Sequence, residues 1–202
     1  MGVMALNYTP SISESYFKNK VIRAEKKAIN NPTNPDLLFN ASKNLTIYSF
    51  GFTVDRADRI KQDDYAKSMK YYTQANADFS RAVKFIDQSL LIDYPKYEAW
   101  LNGKSDAALL FDKNSIDKLY WCAAAYAGAI QSSNGNPEWV IQLPKIGFLL
   151  EAALDLDPDW NYGSLHTAMI SYSLIRHDAK ENKIEIAKTF FDDAIKASKG
   201  ED

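Results

Sequence analysis

Glycine is scarce in this 202-residue chain: there are eight, beside seven prolines, two histidines and one cysteine. So little glycine disfavours a turn-rich all-β chain, whose hairpins draw on it for positive φ. The lone cysteine, Cys122, cannot form an internal disulfide, and its place on an apolar helical face points to a buried structural thiol. His166 and His177 would sit about 16 Å apart along one helix axis at 1.5 Å per residue, too far to share a metal. Charge of either sign is nearly balanced, 24 basic against 26 acidic residues, which leaves no electrostatic footprint for a nucleic-acid backbone. The longest apolar run, Leu119 to Ile130, falls well short of the ~20 residues of a spanning helix. No signal-peptide pattern opens the chain. Met1-Gly2-Val3-Met4 followed by polar residues reads as an expression start joined to a mature sequence, with any targeting segment removed.

Chemistry-bearing motifs are missing too. Asp155, Asp157 and Asp159 open like a calcium loop, but Trp160 and His166 stand where that loop needs glycine and glutamate, so a capped interhelix turn is the reading. No phosphate-cradling loop, nucleophilic triad or zinc-ligand spacing occurs. Catalysis has no sequence support, and no cofactor or metal is expected.

Apolar residues at 46% against 25% charged exclude wholesale disorder. The length suits one domain or a repeat array behaving as one. The chain is organised around residues 118–165. Leu119, Cys122/Ala123, Tyr126 and Ile130 recur every three to four positions and define one apolar helical face. Ala124 and Gly128, one turn apart, leave the backbone nearly bare for a neighbouring helix. A partner helix carries Val140, Leu143, Gly147, Leu150 and Leu154, with Asn136 as cap, Pro137 at its first position and Glu138 against the macrodipole. Two readings of Pro144 stay open: a kink inside a helix begun at Pro137, leaving the Val140 carbonyl unpaired, or a regular helix that begins near Gln142.

Residues 1–10 read as a loose arm, and 11–199 as one helical-repeat domain. Ser11 to Ile29 predicts a helix with Ile12, Tyr16, Val21/Ile22 and Ala28 inward, and Lys18, Lys20, Arg23, Lys26 and Lys27 on a solvated face. Asn34 caps the next helix with Pro35 at its start, and Leu37/Leu38, Ala41, Leu45, Tyr48/Phe52 and Ala57 carry it to about Lys61. A long helix capped near Asp63 follows, with Tyr65, Met69, Tyr72, Phe79, Val83, Ile86 and Leu90 inward. A short helical stretch holds Trp100 and Leu101, and a loop spans Gly103 to Asn114. Leu165, Ala168/Met169, Tyr172 and Ile175 predict another helix, and Ile184, Ala187, Phe190/Phe191 and Ala194 the last. Pro32, Pro95 and Pro158 close three similar junctions at equal intervals of 63 residues. Ala187, Phe190 or Phe191 and Ala194 fit a tetratricopeptide-like pattern, lengthened beyond its usual 34-residue period. The expected fold is all-α: a degenerate tetratricopeptide-like helical-hairpin array, an α-α superhelix with a concave surface.

Several stretches in order resemble the T component (TatT) of tripartite ATP-independent periplasmic (TRAP) transporters. They are Leu119-Tyr120-Trp121 with its Ala/Gly-rich continuation, Leu143-Pro144, Leu154-Asp155-Leu156-Asp157, Tyr162-Gly163 with His166, and Phe190/Phe191 to Ala194-Ile195 and Ser198. Asn34-Pro35-Asp36-Leu37-Leu38 and the long aromatic helix extend the likeness over about residues 20 to 199. The resemblance implies a tetratricopeptide-like periplasmic protein, usually lipid-anchored, that forms a homotrimer with a central pore. Each protomer would dock a solute-binding P component and help pass a small hydrophobic or amphipathic ligand toward the permease. Two departures stand out. Asp178-Ala179-Lys180-Glu181-Asn182-Lys183 replaces the family's Gly-Gly before the last helix, and the lipid-accepting cysteine is not present, so the membrane is reached only through an anchor this sequence lacks.

Tyr120, Trp121, Tyr126, Trp139, Trp160, Tyr162 and Tyr172 crowd into the C-terminal half, as core or as the wall of a cavity for an apolar ligand. Trp121, Tyr126, Pro144, Gly163 and His166 are the candidate ligand-binding residues. Trp121 and Tyr126 would supply apolar wall, Gly163 a close backbone approach and His166 a polar group. The leading expectation is a non-enzymatic binding and scaffold protein with an aromatic cavity. The alternative is a general tetratricopeptide-type peptide-binding adaptor without a transport role, favoured by an open groove lined by Lys, Arg and Asn.

Overall fold

A computed structural model describes residues 10–104, 109–176 and 182–198, the side chains of residues 10–12 excepted. Of the described residues 84% are helical, and none lies in a strand. In order run α1 (Pro10–Asn30), α2 (Pro35–Tyr48), a π-helical segment (Ser49–Val54), α3 (Asp55–Ile60), α4 (Tyr65–Asp93), α5 (Tyr97–Leu101), a 3₁₀ turn (Lys113–Ser115), α6 (Ile116–Ser132), α7 (Pro137–Val140), α8 (Leu143–Leu156), α9 (Trp160–Ile175) and α10 (Lys183–Ser198). No described helix is long and apolar enough to cross a membrane.

The helix starts follow local chemistry. Asn34 Oδ1 accepts from the backbone N–H of Asp36 and Leu37 at 3.1 Å each, with Pro35 at the start of α2, so two donors that α2 cannot satisfy internally are paired. Asp64, one residue past the expected cap, receives the Lys67 N–H at 2.9 Å and opens the 29-residue α4. Pro32, Pro95 and Pro158 all fall in interhelix turns, as their spacing predicts. The segment expected as one helix from Pro35 to Lys61 is instead divided by the π turn around Gly51. The wider turn shifts the register. Val54 and Ala57 are buried, while Phe52 is left half-exposed against Phe17 and Tyr48.

Hairpins pack in sequence: α1 on α2, α2 on α4, α4 on α6, α6 on α8, and α9 on α10. The core joins Leu45, Val83, Ile86 and Leu90 to Leu119, Cys122, Leu149, Leu150 and Leu165, all buried. Close approach has a visible cause at Gly128, where a Cβ would lie 2.4 Å from the Phe79 ring, so only glycine lets α6 settle on α4 there. The turn before α2 is fastened to α4 by Ser89 Oγ donating to the Pro35 carbonyl and Gln88 Nε2 to the Pro32 carbonyl, both at 2.7 Å.

Six residues expected on inward faces point outward: Tyr16, Ile22, Tyr65, Ile175, Ile184 and Phe191 are exposed. On α1 the buried line runs through Val21, Ala24 and Ala28, and Tyr16 lies off it. On α10 the small residues Ala187 and Ala197 take the inner face, which turns the larger ones to solvent. His177 and residues 178–181 of the altered loop lie outside the described residues.

Candidate functional site

An apolar cleft of about 200 Å³ opens between α6, α8 and α9. Ala123, Ala124 and Ala127 give α6 a floor of methyl groups, Ile146 and Leu150 come from α8, and Ala168, Tyr172 and Ile175 from α9. Phe50 reaches in from the π segment and also stacks on Phe79, ring centroids 4.6 Å apart. Ser171 and the hydroxyls of Tyr120 and Tyr172 are the polar side-chain groups among the lining residues. An alanine stripe cannot fill the space between three helices, so apolar surface stays accessible there, the character of a small-molecule site. Gly147 on α8 seats Tyr172: a Cβ there would meet the Tyr172 hydroxyl at 2.5 Å.

None of the five candidate residues lines this cleft. Trp121 is half-buried with Lys43 Nζ 5.2 Å from its ring, and Tyr120 packs edge-on against it at 5.4 Å. Pro144 is exposed in the first turn of α8, and the Gln142 N–H donates to the Trp139 carbonyl before a separate helix starts. Of the two readings of Pro144, the structure adopts the helix that begins near Gln142, where the ring sacrifices no helical hydrogen bond. Gly163 has φ +80°, and a Cβ on it would meet the Ala194 carbonyl oxygen and Ala197 Cβ at 3.0 Å, so it is the point where α9 and α10 touch backbone to backbone. His166 is buried beside Phe190, ring centroids 6.1 Å apart, and its Nδ1 makes no hydrogen bond among the described residues.

Tyr126 differs most from its expected part as apolar wall. Its hydroxyl donates to Asp87 Oδ2 at 2.7 Å, Tyr97 donates to Oδ1 at 2.8 Å, and Cys122 Sγ stands 3.7 Å from the same oxygen. Asp87, Tyr97 and Tyr126 line a second cavity of about 370 Å³, together with Leu91 and Leu101 and the polar side chains of Lys84, Gln88, Glu98, Asn102 and Lys145. Burial pushes the Asp87 carboxyl above its ordinary value, against the opposing pull of the Tyr126 and Tyr97 hydroxyls. The same burial drives the Cys122 thiol and the Tyr97 phenol well up, so both stay protonated. Cys122 is thus the inert structural thiol its sequence context predicts. Asp87 carries no signal in the sequence, since a lone aspartate on a long helix reads as solvated.

Among the described residues no group of histidine, cysteine and carboxylate side chains could hold a metal ion. No curated protein matches the chain. The family model for the TRAP transporter T-component matches residues 23–202. With the helical hairpins and the shared stretches in place, the chain belongs to the TRAP transporter T-component family.

Proposed function

We propose that this protein is a non-enzymatic, periplasmic accessory component of a TRAP transporter, lipid-anchored in its native form. It would hold a small apolar or amphipathic solute in the cleft between α6, α8 and α9. The observation that carries this reading is the cleft wall, built from alanine, isoleucine, leucine and aromatic side chains with few polar groups. Burial of apolar ligand surface against it is worth ~25 cal/mol per Å², which favours hydrocarbon over a polar solute.

Handing the solute on would require a docked P component, and a homotrimer would require an apolar face between copies, which α10 offers. Ile184, Phe191 and Ile195 recur at seven and four residues along one exposed stripe, 70%, 53% and 49% accessible. Such a stripe supports association with a second chain.

Native mass spectrometry of protein purified without detergent tests both parts. The expected result is a trimer that retains lipid-like mass. A monomer carrying nothing overturns the transport reading. It would leave the peptide-binding adaptor, which the basic groove between α1 and α2 favours.

A further inference from the structure

Helix α1 carries five cationic residues, Lys18, Lys20, Arg23, Lys26 and Lys27, against two carboxylates, Glu14 and Glu25. Both carboxylates are engaged elsewhere. Glu14 receives Arg56 at 2.7 Å and Glu25 receives Arg81 at 2.9 Å, arginines supplied by α3 and α4. The face bearing Lys20, Arg23 and Lys27 is therefore left without acidic neighbours from its own helix. Among the described residues these three cations make no ion pair, whereas Lys43, Arg56, Arg81 and Lys118 all do.

The same three line an open groove of about 390 Å³ between α1 and α2. Spaced three and four residues apart, they form one row about 10 Å long at 1.5 Å per residue. Asn19 and Asn40 stand in the groove as neutral donors and acceptors, and exposed Tyr16 flanks one end. The floor is Ala24 and Leu37, small and apolar. A row of cations over an apolar floor is more than a solvated face: it pairs carboxylates along its edge and admits one aliphatic or aromatic side chain beneath them.

We propose that this groove docks an acidic peptide segment of a partner protein, one with about three carboxylates flanking an apolar residue. The concavity favours a peptide over a flat anionic membrane, which would meet the rim and leave the apolar floor unfilled. The groove and the apolar cleft are built from different helices, so each site stands or falls on its own measurement.

Binding is measured by fluorescence anisotropy with full-length protein. The probes are ten-residue peptides carrying three Asp or Glu at varied spacing about a central Leu or Tyr, each paired with its Asn/Gln counterpart. The expected result is that at least one acidic peptide binds while its neutral counterpart does not. Its affinity falls as salt shortens the screening length, and by on the order of tenfold or more in K20E/R23E/K27E. Circular dichroism verifies that this variant stays helical, and the milder K20Q/R23Q serves if it does not. Three outcomes overturn the proposal: no charge-dependent binding of any peptide, equal binding by the variants, or binding to vesicles of anionic lipid with none to the peptides.

Discussion

Tyr126 and Asp87, 39 residues apart in sequence, are joined by a 2.7 Å hydrogen bond that ties α6 to α4 beneath the core. The bond completes a set in which one half-buried carboxylate takes hydroxyls from two tyrosines. Removing one donor leaves a half-buried carboxylate oxygen short of a partner, which costs about 1 kcal/mol, the low end of the range for an unpaired buried group. Tyr126→Phe is therefore expected to lower stability by that amount in urea unfolding, although it keeps the ring and its packing. An unchanged midpoint would show that water enters the cavity and replaces the hydroxyl.

The same carboxylate sets a pH dependence. Burial raises the Asp87 pKa above its ordinary 3.8 in the folded state. From about pH 4 up to the raised pKa the folded chain holds more proton at this site than the unfolded chain. Stability from this group is full below the unfolded pKa and is lost as pH rises through the folded one. Asp87→Asn has no such titration. The stability of wild type minus variant is expected to fall as pH rises above about 4, read from paired denaturation curves, and a flat difference would contradict the raised pKa. Asp78, also raised by burial against the lowering effect of Arg81, is present in both proteins and cancels in the difference.

The alanine floor of the cleft can be filled without touching the core. Ala124 and Ala127 are half-buried on α6 and line the cleft, so Ala124→Leu with Ala127→Leu puts two branched side chains into the space a solute would take. Retained lipid-like mass in native spectra, or binding of a fluorescent fatty acid, is expected to drop by on the order of tenfold, with the far-ultraviolet dichroism unchanged. Undiminished binding would move the solute site elsewhere.

On α10, a carboxylate in the exposed apolar stripe should separate copies of the chain. Ile184→Asp with Phe191→Asp changes two solvent-facing positions, so folding stability is expected to stay within about 0.5 kcal/mol. Analytical ultracentrifugation should show the assembly reduced to monomer. A trimer that survives both substitutions uses another surface.

Helical period, caps and proline turns were legible because each is local: Asn34 with Pro35 acts within three residues, and sequence displays it whole. The buried faces of α6 and α8 followed from the same periodicity at Leu119, Cys122 and Leu150. What stayed hidden depends on partners far along the chain. Tyr126 looks apolar until Asp87 is placed beside it, and Lys20, Arg23 and Lys27 look merely solvated until Arg56 and Arg81 take the two carboxylates of α1. The π turn at Ser49–Val54 had no local mark beyond Gly51, and Phe50, within that turn, lines the cleft. Ala124 and Gly128 were rightly singled out for their size, yet they serve different ends, one lining the cleft and the other seating Phe79.

Two glycines with the same positive φ make an internal control for packing at the α9–α10 crossing. Gly135 and Gly163 both have φ +80°, but a Cβ on Gly135 meets nothing within 4 Å, while one on Gly163 meets the Ala194 carbonyl oxygen and Ala197 Cβ at 3.0 Å. Both alanine variants suffer the left-handed strain of about 1–2 kcal/mol. Only Gly163→Ala must also push α10 away, because the obstacle includes backbone that cannot rotate aside. Overpacking of this kind adds about 1–3 kcal/mol. Gly163→Ala is thus expected to be the less stable of the two by at least ~1 kcal/mol, read from thermal or urea unfolding side by side. Equal losses would mean that α10 yields freely and that Gly163 is required only for its backbone angle.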